Sequence, residues 1–203
     1  MPTAIKFFNS FISETAEQIT LDMYKHDATK FTQSITGIIN TIITGMGYIP
    51  ENEYYRIDAI GWSDKKADNE KDALRIGLKP HLWDLQIAVE HENDLTDWTD
   101  ELIKLVHICC PLKVIIGYQH CDCRQDHEVE KLAYAAKWMQ QVNAFERSRF
   151  LQDQYLIILG DARGMNHPSE YKSFDYRGYL FNYGSNCFER IRESASKQGD
   201  NLC

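Results

Sequence analysis

The residues with the most chemical promise in this chain are one aspartate and one Glu-X-Glu, each in an extended segment. Asp58 lies in the run Tyr54-Tyr55-Arg56-Ile57-Asp58-Ala59-Ile60-Gly61-Trp62, and Glu90-His91-Glu92 closes a run that begins at His81. Side chains two apart in a strand project from one face, so Glu90 and Glu92 share a side. If the two runs pair side by side, Asp58 reaches that face too. Three carboxylates gathered in this way repel one another unless a cation neutralises them. Hard oxygen donors suit Mg²⁺, or Mn²⁺ in its place. Such an ion lowers the pKa of a bound water and stabilises the charge that grows on a phosphodiester under attack.

The charge distribution agrees with a cation site in this region. The 203 residues carry a formal charge of −8. Residues 1–50 hold 3 basic and 4 acidic side chains, and residues 111–203 hold 12 of each. Residues 51–110 hold 7 basic and 14 acidic, so the excess acid sits in the segment with the carboxylate motif. A solvated acidic face would produce the same bias. The overall balance argues against a generic coating of nucleic acid held by bulk electrostatics.

The elements that must position these groups follow from periodicity. Thr3 to about Lys25 reads as one helix, with Phe7, Phe8, Phe11, Ile12, Ile19 and Met23 at helical spacing. A second helix carries Phe31, Ile35, Ile38, Ile39 and Ile42, with Asp27 as N-cap and Gly45 and Gly47 at its end. The run 54–62 reads as one strand after Pro50. Residues 63–80 read as a charged hairpin loop with room for a helical turn, and His81 to about Glu92 as the strand that returns antiparallel. A helix from about Leu95 to Cys109 presents Trp98, Leu102, Leu105 and Val106 inward. Leu112 to Tyr118 is a buried-type strand, about Glu128 to Arg147 a long helix, and Gln154 to Leu159 another buried strand. The expectation is a single α/β domain over 1–203: a helical part at 1–50, an α/β core at 51–160 with a mixed central sheet flanked by helices, and an aromatic-rich part at 161–203.

With Asp58 on one strand, Glu90-His91-Glu92 on the next, and a helix and a strand after them, the chain resembles the PD-(D/E)XK nuclease superfamily. The resemblance covers roughly residues 30 to 118. It implies a restriction-endonuclease-like fold, a Mg²⁺ or Mn²⁺ ion held by Asp58, Glu90 and Glu92, and hydrolysis of a nucleic-acid backbone, DNA in the first place. Glu92 stands where that family usually has lysine. Lys104 on the following helix is the candidate for the missing cation, as migrated lysines are in some relatives. Glu14 or Glu17 on the first helix corresponds to the extra helix-borne ligand of other relatives. A catalytically inactive α/β relative that binds a protein partner, as an inhibitor does, or pairs with its own copy, is the rival expectation.

Other groups carry weaker signals. His120-Cys121-Asp122-Cys123 with His127 holds zinc-ligand types, but its Cys-X-Cys spacing is shorter than that of structural zinc knuckles. Six cysteines without a secretory signal read as reduced thiols, which predicts a cytoplasmic location. No run is long and apolar enough to span a bilayer, so no membrane partner is expected. Gly160-Asp161-Ala162-Arg163-Gly164 could cradle a phosphate or simply leave a strand. The cations Arg147, Arg149, Arg163, Lys172, Arg177 and Arg190 interleave with Tyr171, Phe174, Tyr176, Tyr179, Phe181 and Tyr183. Base stacking is one use for such a stretch, and a tyrosine-rich strand pair within the sheet is the commoner one.

Overall fold

A computed structural model describes residues 2–65, 70–78, 82–93, 98–119, 125–161 and 176–191. In chain order the elements are α1 (Ala4–Gln18), α2 (Leu21–His26), α3 (Ala28–Gly45), β1 (Ile49–Tyr54), β2 (Ile57–Lys65), α4 (Glu70–Arg75) and β3 (Leu82–His91). Then follow α5 (Trp98–Val106), β4 (Leu112–Gln119), α6 (Gln125–Gln141), α7 (Phe145–Leu151), β5 (Gln154–Asp161), β6 (Arg177–Asn182) and β7 (Cys187–Arg190). The seven strands form one open mixed sheet in sequence order. β1, β2 and β3 are an antiparallel meander, β3, β4 and β5 run parallel, and β6 and β7 return antiparallel. The parallel pairs require crossovers, which α5 supplies between β3 and β4, and α6 with α7 between β4 and β5. Among the described residues no helix is long and apolar enough to cross a membrane.

The sheet is buried on both faces, which is why its central strands read as continuous apolar runs. On one face Phe7, Phe11, Phe31, Ile35 and Ile39 of the N-terminal helices pack against Val89, Val114, Ile116 and Ile158. On the other, Trp98, Leu102, Leu132 and Met139 pack against Ala88, Ile115 and Ile157. Gly117 on β4 lets α5 approach this closely, because a Cβ there would stand 2.9 Å from Trp98. The second expected helix, α3, starts and ends where expected: the Asp27 carboxylate accepts from Lys30 N at 2.9 Å, and Gly47 takes φ +87°.

Four element boundaries differ from expectation, each for a local reason. The first helix is two, because Ile19 is extended and Thr20 caps a new start by accepting from Met23 N at 3.2 Å. The run 54–62 is not one strand. A two-residue turn at Tyr55-Arg56, both in the left-handed region, separates β1 from β2. Residues 63–80 begin as strand, since β2 continues to Lys65, and the helical turn allowed for in that loop is α4. The helix expected over 128–147 breaks after Gln141 into tightened turns that bring Phe145 into the core. The aromatic C-terminal stretch belongs to the sheet: Tyr176, Tyr179 and Phe181 are buried, and β7 closes the edge. Tyr171 and Phe174 lie outside the described residues.

One lysine inside an otherwise apolar strand needs its own explanation. Lys113 on β4 is fully buried, with its ammonium 2.5 Å from Asp153 Oδ2 and donating to Ser148 Oγ at 2.9 Å and Tyr155 OH at 3.3 Å. Ser148 donates to Asp153 at 3.0 Å, Tyr155 OH donates to Ser148 at 2.7 Å, and Tyr183 OH donates to the Asp153 carbonyl at 2.7 Å. The network pins α7 to β4 and β5. Removing one partner leaves the other as an uncompensated buried charge, whereas replacing both with apolar groups does not. Lys113→Met is therefore expected to cost about 3–5 kcal/mol, and adding Asp153→Leu to recover most of the loss. Urea unfolding of the two variants checks this; equal stability of the single and double variants would show that the pair is uncoupled.

Candidate functional site

The α5 face of the sheet carries the acidic residues singled out above. Ala59 on β2 pairs with Val89 on β3, so one step toward the end of the ladder sets Asp58 beside Glu90. The Asp58 carboxylate accepts from the His91 backbone N–H at 2.7 Å, which ties it to the neighbouring strand. Asp58 itself is exposed, while Glu90 is 1% exposed. α5 crosses above them with its apolar side sunk between the strands. That placement brings Lys104 over the sheet, with its Nζ 2.7 Å from Glu90 Oε1 and donating to the Arg56 carbonyl at 2.9 Å. Glu101, one turn earlier on α5, ion-pairs with the same ammonium. The Lys104 side chain keeps 35% exposure, so this cluster is open to solvent at one end.

Its electrostatics are unbalanced. The Lys104 ammonium pairs with the carboxylates of Glu90 and Glu101, and Asp58 beside Glu90 adds a third acid, which leaves two negative charges when all are ionised. Burial lifts the Glu90 carboxyl to about 8, and the Asp58 and Glu101 charges add to the rise, against the pull of Lys104. Burial works to lower the Lys104 pKa, but Glu101 and Glu90 together hold it above its ordinary value. Glu90 Oε1 takes the Lys104 ammonium as its partner. A nearly inaccessible carboxylate beside a second, exposed one sets hard oxygen atoms side by side. Mg²⁺ is commonly held by one or two carboxylates, with water and substrate phosphate completing its shell.

The other sequence candidates are placed differently. Glu92 lies one residue past β3, where its backbone N–H donates to the Ile116 carbonyl at 2.9 Å. Among the described residues no three His, Cys, Asp or Glu side chains are gathered as a ready-made ligand set. His91 turns to the opposite face, with its ring nitrogen 2.9 Å from Tyr118 OH and its ring beside Phe31, and burial there depresses the imidazole to about 3. Glu14 and Glu17 belong to α1, which packs on the face away from Glu90 and Lys104. Residues 120–123 and 162–164 lie outside the described residues, and His127 is exposed on α6. Cys110 is buried, with its thiol pushed up to about 12 chiefly by burial, so it is no nucleophile. Arg177 is engaged by Glu128, to which it donates from Nε at 3.0 Å and Nη2 at 2.8 Å.

Two participants escaped sequence reasoning. Glu101 stands three residues before Lys104, a spacing that puts both on one side of a helix, and that was the available signal. The Arg56 carbonyl had none, because it depends on the turn at Tyr55-Arg56. Comparison with protein-family models, with curated proteins and with solved structures gives no match.

The raised Glu90 pKa fixes a pH dependence of stability. Its folded value lies above the unfolded one, so its contribution is full below about pH 4.5 and is lost as pH rises through about 8. Glu90→Gln removes that loss. In metal-free buffer with a chelator, the stability of Glu90→Gln relative to the parent should therefore rise between pH 5 and pH 8, by at most about 1.4 kcal/mol per pH unit. Urea unfolding across that range measures it. A constant difference would mean that Glu90 is ionised throughout.

Proposed function

We propose that this chain is a divalent-metal-dependent nuclease-like protein that hydrolyses phosphodiester bonds, of the PD-(D/E)XK type. The observation that carries the reading is the contact between Lys104 and Glu90, beside Asp58 on the adjoining strand. It supplies, from the next helix, the cation that Glu92 fails to provide in the motif. The order α3, antiparallel β1–β2–β3, α5 and parallel β4 is the order that the resemblance implies, and it supports a restriction-endonuclease-like core. The charge imbalance supports it too, because a cluster with two surplus negative charges is relieved either by a proton on Glu90 or by a divalent cation.

In this reading Asp58 and Glu90 hold Mg²⁺ or Mn²⁺. When bound, the ion supplies a water acidified enough to attack phosphorus and neutralises charge on the phosphoryl oxygens. The chain's own groups do the rest. Asp58 stays oriented by the His91 N–H. Glu90 is kept from solvent by α5, which strengthens its interaction with any charge placed beside it. Lys104, already aimed at Glu90 and partly exposed, is placed to stabilise negative charge developing on the phosphate. Glu101 holds that ammonium in place, and Glu92, at the end of β3, is the candidate to orient the attacking water.

A second reading is a non-catalytic relative that binds a protein. The observation in its favour is a pair of exposed aromatics on the outer side of α6, Tyr134 at 57% and Trp138 at 50% exposure, with ring centres 6.3 Å apart. Metal linkage separates the two. If the site binds Mn²⁺, adding the ion at about a hundred times its dissociation constant stabilises the fold by about 2.7 kcal/mol, and Asp58→Ala and Glu90→Gln abolish that gain. The same variants should lose Mg²⁺-dependent cleavage of DNA or RNA while retaining a folded circular dichroism spectrum, and Lys104→Ala should lower the rate by about a hundredfold or more, as loss of one charge-stabilising group does. No thermal shift with Mn²⁺ and no cleavage of any strand would overturn the nuclease reading in favour of the second.

A further inference from the structure

The hairpin tip that joins β1 to β2 is built against backbone preference. A two-residue turn of this kind needs positive φ at both central positions, which is why Asn-Gly is the usual occupant. Here the positions are Tyr55 at φ 48° and Arg56 at φ 65°, and Glu53 just before them is at φ 55°. The ladder skips the pair Glu53–Asp58, so the distortion falls on the strand position facing the site's aspartate. Bulky side chains held in the left-handed region mark positions where something other than stability selects the residue. What they gain is presentation. Tyr55 is 83% exposed, against an average tyrosine that buries most of its ring. Its ring meets Tyr54 edge to face at 4.7 Å, and Tyr54 packs on the α5 side of the sheet, so Tyr55 is propped on the side that carries Glu90 and Lys104.

The tip is also fastened to the site. The ammonium that touches Glu90 donates to the Arg56 carbonyl, so one side chain spans the buried carboxylate and the turn. Glu51 and Glu53 are exposed along the same hairpin, and the whole chain is acidic. Phosphate attraction alone therefore cannot hold a nucleic acid here, and a contribution that does not depend on net charge is needed. An exposed aromatic ring gives one by stacking on a base, with Arg56 beside it for the backbone. A base face is accessible in single strands, frayed ends and flaps, but not inside a duplex.

Resting on the nuclease-like reading above, we propose that Tyr55 is a base-stacking platform and Arg56 its phosphate contact, and that together they direct the site to unpaired nucleotides beside the bond to be cut. The test is fluorescence anisotropy of the full chain with a labelled oligonucleotide, as a single strand and as the blunt duplex of the same sequence, with Ca²⁺ in place of Mg²⁺. The parent should bind the single strand more tightly than the duplex. Tyr55→Ala should weaken single-strand binding roughly ten- to a hundredfold, Tyr55→Trp should restore it, and Arg56→Ala should reduce the salt dependence by about one ion contact. All three should keep the parent's thermal shift with Mn²⁺. The double change Tyr55→Asn with Arg56→Gly should raise the unfolding midpoint while losing single-strand binding, since it supplies the residues the turn prefers. Single-strand binding that Tyr55→Ala leaves unchanged, or a parent that prefers the duplex, overturns this inference while the metal site stands. A parent that binds neither Mn²⁺ nor any strand overturns the nuclease reading itself.

Discussion

A carboxylate buried near the end of a strand under a helix must find a positive charge, take up a proton or accept a large desolvation cost, and Glu90 is in that position. The architecture around it is organised by this constraint. α5 has to pass close enough for a lysine to reach the strand. That passage depends on Gly117, which lets Trp98 settle against β4, and on Leu102 and Leu105, which bury the underside of the helix. Once α5 is seated, its geometry delivers Lys104 to Glu90 and to the Arg56 carbonyl together. Helix, strand and hairpin tip thus meet at one ammonium group.

The protein holds a second buried ion pair, and the contrast between the two is instructive. Lys113 and Asp153 are enclosed with Ser148, Tyr155 and the carbonyl partner Tyr183 in a network in which each charged group has several partners. Such a network is satisfied and closed; it locates α7 and leaves no room for a ligand. The Glu90 cluster is open to solvent at Lys104 and has more acid than base. Both pairs perturb the ionisation of their neighbours, yet only the Glu90 pair reaches solvent.

The sequence carried the site better than it carried the elements around it. Asp58 and Glu90 could be found because they fall in extended runs where residue types with hard oxygens stand out. The direction of Lys104 could not be read, since it lies two residues from buried Leu102 and helical periodicity alone leaves it at the margin of the apolar face. The turn at Tyr55-Arg56 was invisible for a different reason: turn signals rest on Gly, Asn, Asp and Pro, and this turn uses none of them. The same applies to the break at Ile19-Thr20, where two β-branched residues interrupt a pattern whose apolar spacing continues across it. Lys113 gives no sign of its role in an otherwise apolar strand, because its partner is 40 residues away just before β5. For Lys104 and Lys113 the missing information was tertiary, held in contacts between residues far apart in the chain; at the turn and the helix break it was local, in backbone conformations that the residue types there do not announce.

The acidity of the 51–110 segment acquires a more specific meaning from the geometry. An acidic face repels a polyanion at long range, so a protein with this balance gains little from diffuse attraction to nucleic acid. Under the proposed function, binding would have to come from short-range terms: a cation held by the carboxylates, the Lys104 ammonium, and the exposed ring of Tyr55. Short-range terms also discriminate more sharply than diffuse charge, because each needs its partner at a defined position. Under the proposed function, a tip fastened to Glu90 through Lys104 is better suited to choosing a few substrates than to gripping many. The left-handed backbone at Tyr55 and Arg56 is what a two-residue hairpin turn requires; a tyrosine and an arginine at those positions are not what the sheet alone calls for.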